Sequence, residues 1–502
     1  MAQATKAPAY AGRSYAFTPY VPAQNFIGGS FCDSVTGRFL DVENPRHGKV
    51  MGQVVLSSAA DVDAAVQAAK AALPAWRATP MKERAQVMFL LKQFLERDKE
   101  ELAWLLSAEN GKTIAEARAD IEKGVEVVEL AASLPNLADG GQIDVSRGIN
   151  CQVIHEPLGI TGGITPFNFP IMVPLWMIPN SLTAGNAFIL KPSSAVPYGA
   201  MRIAALLKEA GLPDGLLAVV NGSREVVTAI AEHAAIEALA FVGSTDVAKK
   251  LYARTAELGK RALCLGSAKN YIVVVPDADP ELTATTIVAS AYGCAGQRCM
   301  AATVMLAVGD VQHIIDRMVV LAKKIQLGTD MGAIITRADV KRITGFIDEA
   351  EKMGGKVLVD GRGAKVEGCP EGNWVGPTIL DRLTLDIPAA REEIFGPVLS
   401  IVHTTTLDEA LAVQNQSRYG NGASIFTSNG GVARYAVERL QAGMIGVNVG
   451  VPVPREPFAF GGWKDSMFGH GDITGMDGFR FFTRPRKVTT RWSIQADQTW
   501  MS

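Results

Sequence analysis

Small apolar residues recur at three- and four-residue intervals over positions 61–77, and a longer amphipathic stretch runs from 81 to 109 before stopping at Asn110-Gly111. That spacing lays an apolar stripe along a helix, and Asn-Gly is a helix stop, so the first third of the chain is predicted to be helix-rich. From position 151 the texture changes. Short apolar runs at 159–164, 187–190 and 217–220 alternate with helical stretches such as 199–210. Strands alternating with helices predict a parallel sheet covered on both faces. A further run at 238–242 leads into Gly243-Ser244-Thr245-Asp246 and an amphipathic helix carrying Lys249 and Lys250. A strand, a Gly/Ser turn and a helix can seat a phosphate against free backbone N–H groups, although Ser244 or Thr245 could equally be an N-cap.

A second α/β block begins near position 271 and continues to about position 450, with strand-like runs at 271–275, 303–308 and 398–402 and a helical stretch at 311–326. Two such blocks in series predict a ligand cleft between them. The segment 486–492 alternates in strand fashion after a Gly-rich region at 469–478, and is predicted to be an edge strand that can pair with another subunit. The most apolar stretch, 171–178, contains Pro174 and is followed by Pro179. It falls well short of the ~18 residues that span a bilayer, so no membrane span is expected. The first six residues lack the apolar core of a secretory signal. A cytoplasmic location is therefore expected, or the mitochondrial matrix if a transit peptide has been removed.

Composition narrows the class. With 502 residues, 48% of them hydrophobic and 20% charged, the chain has the make-up of a globular enzyme rather than a disordered, collagenous or coiled-coil protein. A net charge of −2 argues against a polyanion-binding surface, so no nucleic-acid partner is expected. The six cysteines contain no C-x-x-C pair, and Cys294 and Cys299 have no matching His nearby, which predicts free thiols and no metal site.

The chemically most informative segment is Gly293-Cys294-Ala295-Gly296-Gln297-Arg298-Cys299. A Cys next to a cation and flexible Gly can be both accessible and stabilised as thiolate. Most cysteines, however, are small buried hydrophobes. Four further motifs accompany this segment: Thr165-Pro166-Phe167-Asn168-Phe169-Pro170, Lys191-Pro192-Ser193, Phe241-Val242-Gly243-Ser244-Thr245, and Glu392-Glu393-Ile394-Phe395-Gly396-Pro397. In this order and spacing, they make the chain resemble the aldehyde dehydrogenase superfamily over nearly its whole length.

That resemblance implies a Rossmann-type cofactor domain at 1–137 and 156–267, an α/β catalytic domain at 268–465, and a small β oligomerisation element at 138–155 and 466–502. It also implies a homodimer or homotetramer. Cys299 is the implied nucleophile, and Asn168, with the backbone N–H of Cys299, the implied oxyanion donor. Lys191 would bond the adenosine ribose, Ser244 the pyrophosphate and Glu393 the nicotinamide ribose, with Phe167 and Phe395 in the cofactor site. For Lys191 and Glu393 the bland alternative is a surface ion pair, and for Asn168 a turn residue between two prolines.

Two departures from the common superfamily pattern bear on the subclass. Hydrolytic members carry a Glu in Glu-Leu-Gly-Gly-Lys; the corresponding stretch here reads Leu265-Gly266-Ser267-Ala268-Lys269, with Leu265 in place of the base. Without a base worth about 10²–10⁴-fold, deacylation by water should be slow, and a stronger nucleophile is needed. Coenzyme A is that nucleophile in the methylmalonate-semialdehyde dehydrogenase branch, which the chain resembles at Ala268-Lys269-Asn270, Tyr419-Gly420-Asn421-Gly422 and 447–454. This implies CoA-acylating oxidation of malonate or methylmalonate semialdehyde, with release of CO₂. The alternatives are a hydrolytic aldehyde dehydrogenase and a non-catalytic nucleotide-binding protein.

The branch holds the substrate carboxylate with two Arg. One corresponds to Arg298; at the other place stands Lys123, which offers a point charge rather than a fork. Arg298 could instead only stabilise the thiolate, and Lys123 could be a solvated helix lysine beside Glu122 and Glu126. The second departure is Ser194, where many NAD-preferring relatives carry a Glu. NAD is the expected cofactor, with NADP tolerated.

Overall fold

The predicted alternation of strands and helices folds into two α/β layers and a small antiparallel sheet in the computed structural model, which describes residues 15–138 and 140–492. The first helical stretch forms Ala59–Ala78. The second, read as one amphipathic run, divides at Asp98 into Met81–Arg97 and Lys99–Asn110. The Asp98 carboxylate is taken by Arg97 and Arg202, each 2.7 Å away, so the side chain anchors a corner instead of continuing a helix face. Gly111, at φ 87°, ends the second of these helices in the left-handed conformation that glycine adopts without strain. Thr113 and Glu116 then start Ile114–Leu137 with a reciprocal capping box.

Five parallel strands form the core of the first sheet, in the spatial order Leu217–Val219, Ala187–Lys191, Ile160–Ile164, Ile236–Val242, Arg261–Leu265. The chain order reverses at Ile160–Ile164, so the switch point lies between that strand and Ile236–Val242, where an open α/β sheet leaves a crevice at its carboxyl edge. All five residues of Ile160–Ile164 are buried, as is every residue of the helix Met172–Ala184 packed near it. Those runs are continuous rather than alternating because both sheet faces are covered. The short strand Met467–Phe468 joins this sheet antiparallel to Arg261–Leu265.

The second sheet is ordered Lys356–Val359, Thr378–Asp381, Val398–Thr404, Val304–Val308, Tyr271–Val274, Gly422–Phe426, Met444–Val447, parallel except at Lys356–Val359. Each layer has its own apolar cluster. Segments leaving the carboxyl ends of the first sheet's strands bond to segments leading into the second sheet's strands, Asn168 to the Gln297 carbonyl and Ala268 N to Glu393. Thr483–Arg491, Ile149–Pro157 and Gln142–Ser146 form the small antiparallel sheet, whose edge strand Gln142–Ser146 is exposed along its length. Among the described residues no helix is long and apolar enough to cross a membrane, and no group of three or more His, Cys, Asp or Glu is placed to hold a metal ion.

Candidate active site

Cys299 follows the helix Pro280–Tyr292 and precedes the strand Val304–Val308, on a turn with an unusual backbone. Cys294, Ala295 and Gly296 all have left-handed φ values, 51°, 52° and 67°. The first two carry side chains in a conformation that glycine favours, a strain typical of functional turns. At Gly296 nothing larger fits: a Cβ would lie 2.1 Å from the Gly396 carbonyl oxygen. The Cys294–Cys299 turn and the Glu393–Pro397 loop therefore meet backbone to backbone, bringing together two motifs almost a hundred residues apart.

Two asparagines hold the Cys299 carbonyl. Asn270 Nδ2 donates to it at 2.8 Å and to the Ala301 carbonyl at 2.9 Å, and Asn421 Nδ2 donates at 3.0 Å. Asn270 Oδ1 in turn accepts from Gly422 N at 3.1 Å. Sequence alone assigns neither Asn a role. Both stand in motifs legible in the sequence, Ala268-Lys269-Asn270 and Tyr419-Gly420-Asn421-Gly422, but which carbonyl an Asn side chain finds is a matter of tertiary placement.

Asn168 is buried, and its Nδ2 donates to the Gln297 carbonyl at 3.0 Å, two residues before the thiol. One amide hydrogen is thereby committed, and the other remains for a ligand oxygen. The Phe167 and Phe395 rings stand edge to face with centroids 5.8 Å apart, and the latter sits at φ 50°. Glu393 Oε1 accepts from Ala268 N at 2.8 Å. Burial pushes its carboxyl above the usual range, against the hydrogen bonds from Ser267 and Ala268.

The electrostatics correct one expectation. The Cys299 thiol is not lowered by its neighbouring Arg; burial, and then the charge of Glu393, push it up to about 12, and Arg298 opposes this only weakly. The physical reason is where Arg298 points. Its Nη2 donates to the Ala289 and Ser290 carbonyls at 2.9 and 2.8 Å, at the end of the preceding helix. Its Nε is buried without a hydrogen-bond partner among the described residues.

Lys191 ends its strand at the carboxyl edge, buried, and desolvation alone lowers its ammonium to about 8. Lys269, also buried, is lowered by burial to about 7 against the opposing charges of Glu393 and Glu392, and donates to the Ala389 carbonyl at 2.8 Å. Ser194 Oγ donates to the Gly222 carbonyl at 2.8 Å. Ser244 caps the helix Thr245–Glu257 with no side-chain cap bond and is exposed, while Thr245 is the residue tied into the fold, through Ser267 and the Asp465 carbonyl. Leu265 is buried at the end of its strand, an apolar side chain that takes no proton.

Lys123 lies apart from this cluster in its bonding. It is exposed on Ile114–Leu137 and paired with Glu126 at 3.0 and 3.1 Å, the arrangement of a solvated helix lysine.

A thiol two residues from the carbonyl that Asn168 holds, and a buried ammonium and an exposed hydroxyl at the carboxyl ends of parallel strands, suit a carbonyl substrate and a nucleotide. The sequence profile of the aldehyde dehydrogenase family matches residues 31–488. The chain belongs to the aldehyde dehydrogenase family. Among its relatives, malonate-semialdehyde dehydrogenase 1 of Geobacillus thermodenitrificans is 44% identical over 478 residues, covering 93% of this chain and 98% of that protein. The malonate-semialdehyde dehydrogenase of Halalkalibacterium halodurans is 42% identical over 93% of this chain. The crystal structure of the methylmalonate-semialdehyde dehydrogenase from Oceanimonas doudoroffii superposes with a TM-score of 0.93 at 40% identity, covering 95% of this chain and 99% of that one. A Sinorhizobium meliloti protein crystallised with NAD gives a TM-score of 0.94 at 41% identity, covering 96% of this chain and 100% of that one. This aldehyde dehydrogenase is accordingly an NAD(P)-dependent oxidoreductase with the family's α/β architecture.

Proposed function

We propose that the protein catalyses the NAD-dependent, CoA-acylating oxidation of malonate or methylmalonate semialdehyde to acetyl- or propionyl-CoA with loss of CO₂, through a thioester on Cys299. The observation that carries the CoA-acylating reading is Leu265, an apolar and buried side chain at the place of the hydrolytic base. The names of the relatives above point to the semialdehyde substrate.

Cys299 loses its proton and attacks the aldehyde carbon, and the resulting oxyanion accepts from the free amide hydrogen of Asn168 and from the backbone N–H of Cys299. Bound NAD supplies the hydride acceptor. Lys191, Ser194, Ser244, Glu393, Phe167 and Phe395 are assigned to hold it. The fit is supported by a buried ammonium on which desolvation acts with no opposing charge among the described residues, and by an exposed helix-capping hydroxyl with no cap bond. Ser194 sets no carboxylate against a 2′-phosphate, which leaves NADP tolerated. Loss of the substrate carboxylate as CO₂ leaves a shorter acyl thioester, which the thiol of coenzyme A attacks to release Cys299. Arg298 is assigned to the substrate carboxylate through its unpartnered Nε. Lys123 is assigned a weaker, outer role.

In domain terms, residues 1–137 and 156–267 carry the cofactor, 268–465 the chemistry, and 138–155 with 466–502 the contact of a homodimer or homotetramer, in which the exposed strand Gln142–Ser146 offers a free edge. The cytoplasm is the proposed location.

Reduced-nicotinamide formation with malonate and methylmalonate semialdehyde, with and without coenzyme A, tests this reading. A burst of about one equivalent per Cys299, followed by steady turnover only when coenzyme A is added, is expected. Rapid turnover without it would overturn the acylating reading and turn attention to Glu393 as a base.

A further inference from the structure

A closed circuit of hydrogen bonds runs beneath the nucleophile turn and across both α/β layers. Lys112 Nζ donates to the Asn168 carbonyl at 2.8 Å. Asn168 Nδ2 donates to the Gln297 carbonyl at 3.0 Å, Gln297 Nε2 to the Ala333 carbonyl at 3.2 Å, and Ala333 N to the Gly111 carbonyl at 3.0 Å, next to Lys112. Asn110 adds a bond from the same turn, its Nδ2 reaching the Phe167 carbonyl at 2.8 Å. Consecutive carbonyls of the Phe167-Asn168 motif are thus held by two side chains from a single turn.

Asp120 completes the brace. Its Oδ2 accepts from Lys112 Nζ at 2.8 Å and its Oδ1 from Met172 N at 2.8 Å, just beyond the motif's second proline. Lys112 and Asp120 are 2% and 1% exposed, and the ammonium lies 4.6 Å from the centre of the Phe169 ring. The loop is therefore held at Phe167, Asn168, Phe169 and Met172 by one buried ion pair and one amide. A donor aimed at a developing oxyanion is effective only if its position is set before charge develops, because movement during the reaction would consume the stabilisation. The charge of Lys112 is matched by Asp120, so its influence is geometric, exerted through the Asn168 backbone.

We propose that Lys112 and Asp120, with Asn110 as an auxiliary, are positioning residues for the oxyanion donor Asn168, and that they set the rate of acylation of Cys299 through the bond from Lys112 to the Asn168 carbonyl. The proposal rests on the reading of Cys299 as nucleophile and Asn168 as donor.

The test is a double-mutant cycle. Lys112→Met with Asp120→Leu removes both charges together, so that neither is left unpaired in the interior. The pair is made in the parent and in Asn168→Ala, and acylation is read in two ways: single-turnover NADH formation with propionaldehyde and NAD, and the burst of 4-nitrophenolate from 4-nitrophenyl acetate, which needs no hydride acceptor. In the parent the pair should slow both bursts about 10- to 100-fold, with the NAD Kd and aldehyde KM within about threefold; in Asn168→Ala it should slow them less than about threefold. Equal slowing in both backgrounds would mean a general structural role and would overturn the proposal, as would no slowing in the parent. Asn110→Ala is the milder second variant should the paired substitution fail to fold, with about 3- to 10-fold slowing expected in the parent and none in Asn168→Ala. A parent that bursts with the ester but forms no NADH would overturn the dehydrogenase reading while leaving the cycle readable.

Discussion

Lys112 and Lys191 are both buried lysines, and the structure treats them in opposite ways. Lys112 has a carboxylate and a carbonyl within 2.8 Å. Burial opposes its charge most strongly, but Asp120, Cys294 and Glu116 together outweigh it and hold the ammonium above the ordinary value. Removing one member of such a pair costs about 3–5 kcal/mol, because the other charge is left in a dry interior. Lys191 has only desolvation acting on it, which brings it down to about 8. A charge that is fully satisfied by the protein serves to place other atoms. One that is desolvated and left without a counter-charge is available to a ligand, and Lys191 and the exposed Ser244 both lie at the carboxyl edge of the parallel strands. Cys294 and Cys299 are held differently: the first has its backbone N–H taken by Glu116, the second has its carbonyl clamped by two asparagines.

Cys299→Ala should break the ligand-facing half of this comparison most severely. NADH formation with any aldehyde is expected to fall by about 10⁴-fold or more, while NAD binding followed by fluorescence stays within about threefold of the parent. If turnover persisted, the nucleophile would have to be sought elsewhere, with Cys294 the first residue to substitute.

A thiol at about 12 gives a second, graded test in the protein without ligands. Its alkylation by iodoacetamide should accelerate about tenfold per pH unit from pH 7 to 10, with no plateau, since the thiolate fraction rises in that proportion until the pKa is reached. A plateau near pH 8 would show that a cation close to the sulfur outweighs burial.

Lys191 makes the comparison pH-dependent. NAD affinity should fall about 3- to 10-fold as pH rises through about 8 and the ammonium is lost, and Lys191→Met should bind more weakly with a flat profile. The stability sign is opposite. An unfolded lysine keeps its proton to near its ordinary value of 10.5, whereas the folded one loses it near 8. The unfolded state therefore binds more protons in that window, and the contribution of Lys191 to stability rises with pH across it. Thermal melts of the parent and of Lys191→Met at pH 7 and pH 9.5 would separate the two effects.

The smallest change is expected at Lys123, whose ammonium is already taken by Glu126 in solvent. Lys123→Met should alter the KM for a carboxylate-bearing aldehyde by less than about threefold, as for an ordinary exposed pair. A tenfold rise would show that the carboxylate displaces Glu126.

Much of this protein is determined by local pattern. Apolar runs of strand length separated by amphipathic helices suffice for two parallel layers, because each run has to be buried on both faces. The five motifs, each a short contiguous string, suffice for the family and for Cys299, Asn168, Lys191 and Glu393 as candidates. What the strings cannot carry is the direction of a side chain or the charge that faces it. Arg298 is adjacent to the thiol in sequence yet turned to the end of the preceding helix, so proximity along the chain predicted an activated thiolate where burial and Glu393 produce a raised thiol. Lys112, Asp120, Asn270 and Asn421 show the converse. None of their partners can be read from their neighbours in the chain, and each reaches the site through a bond spanning from about thirty to more than a hundred residues. Desolvation and hydrogen bonding depend on the three-dimensional surroundings of an atom, and those are decided only when the two sheets meet edge to edge.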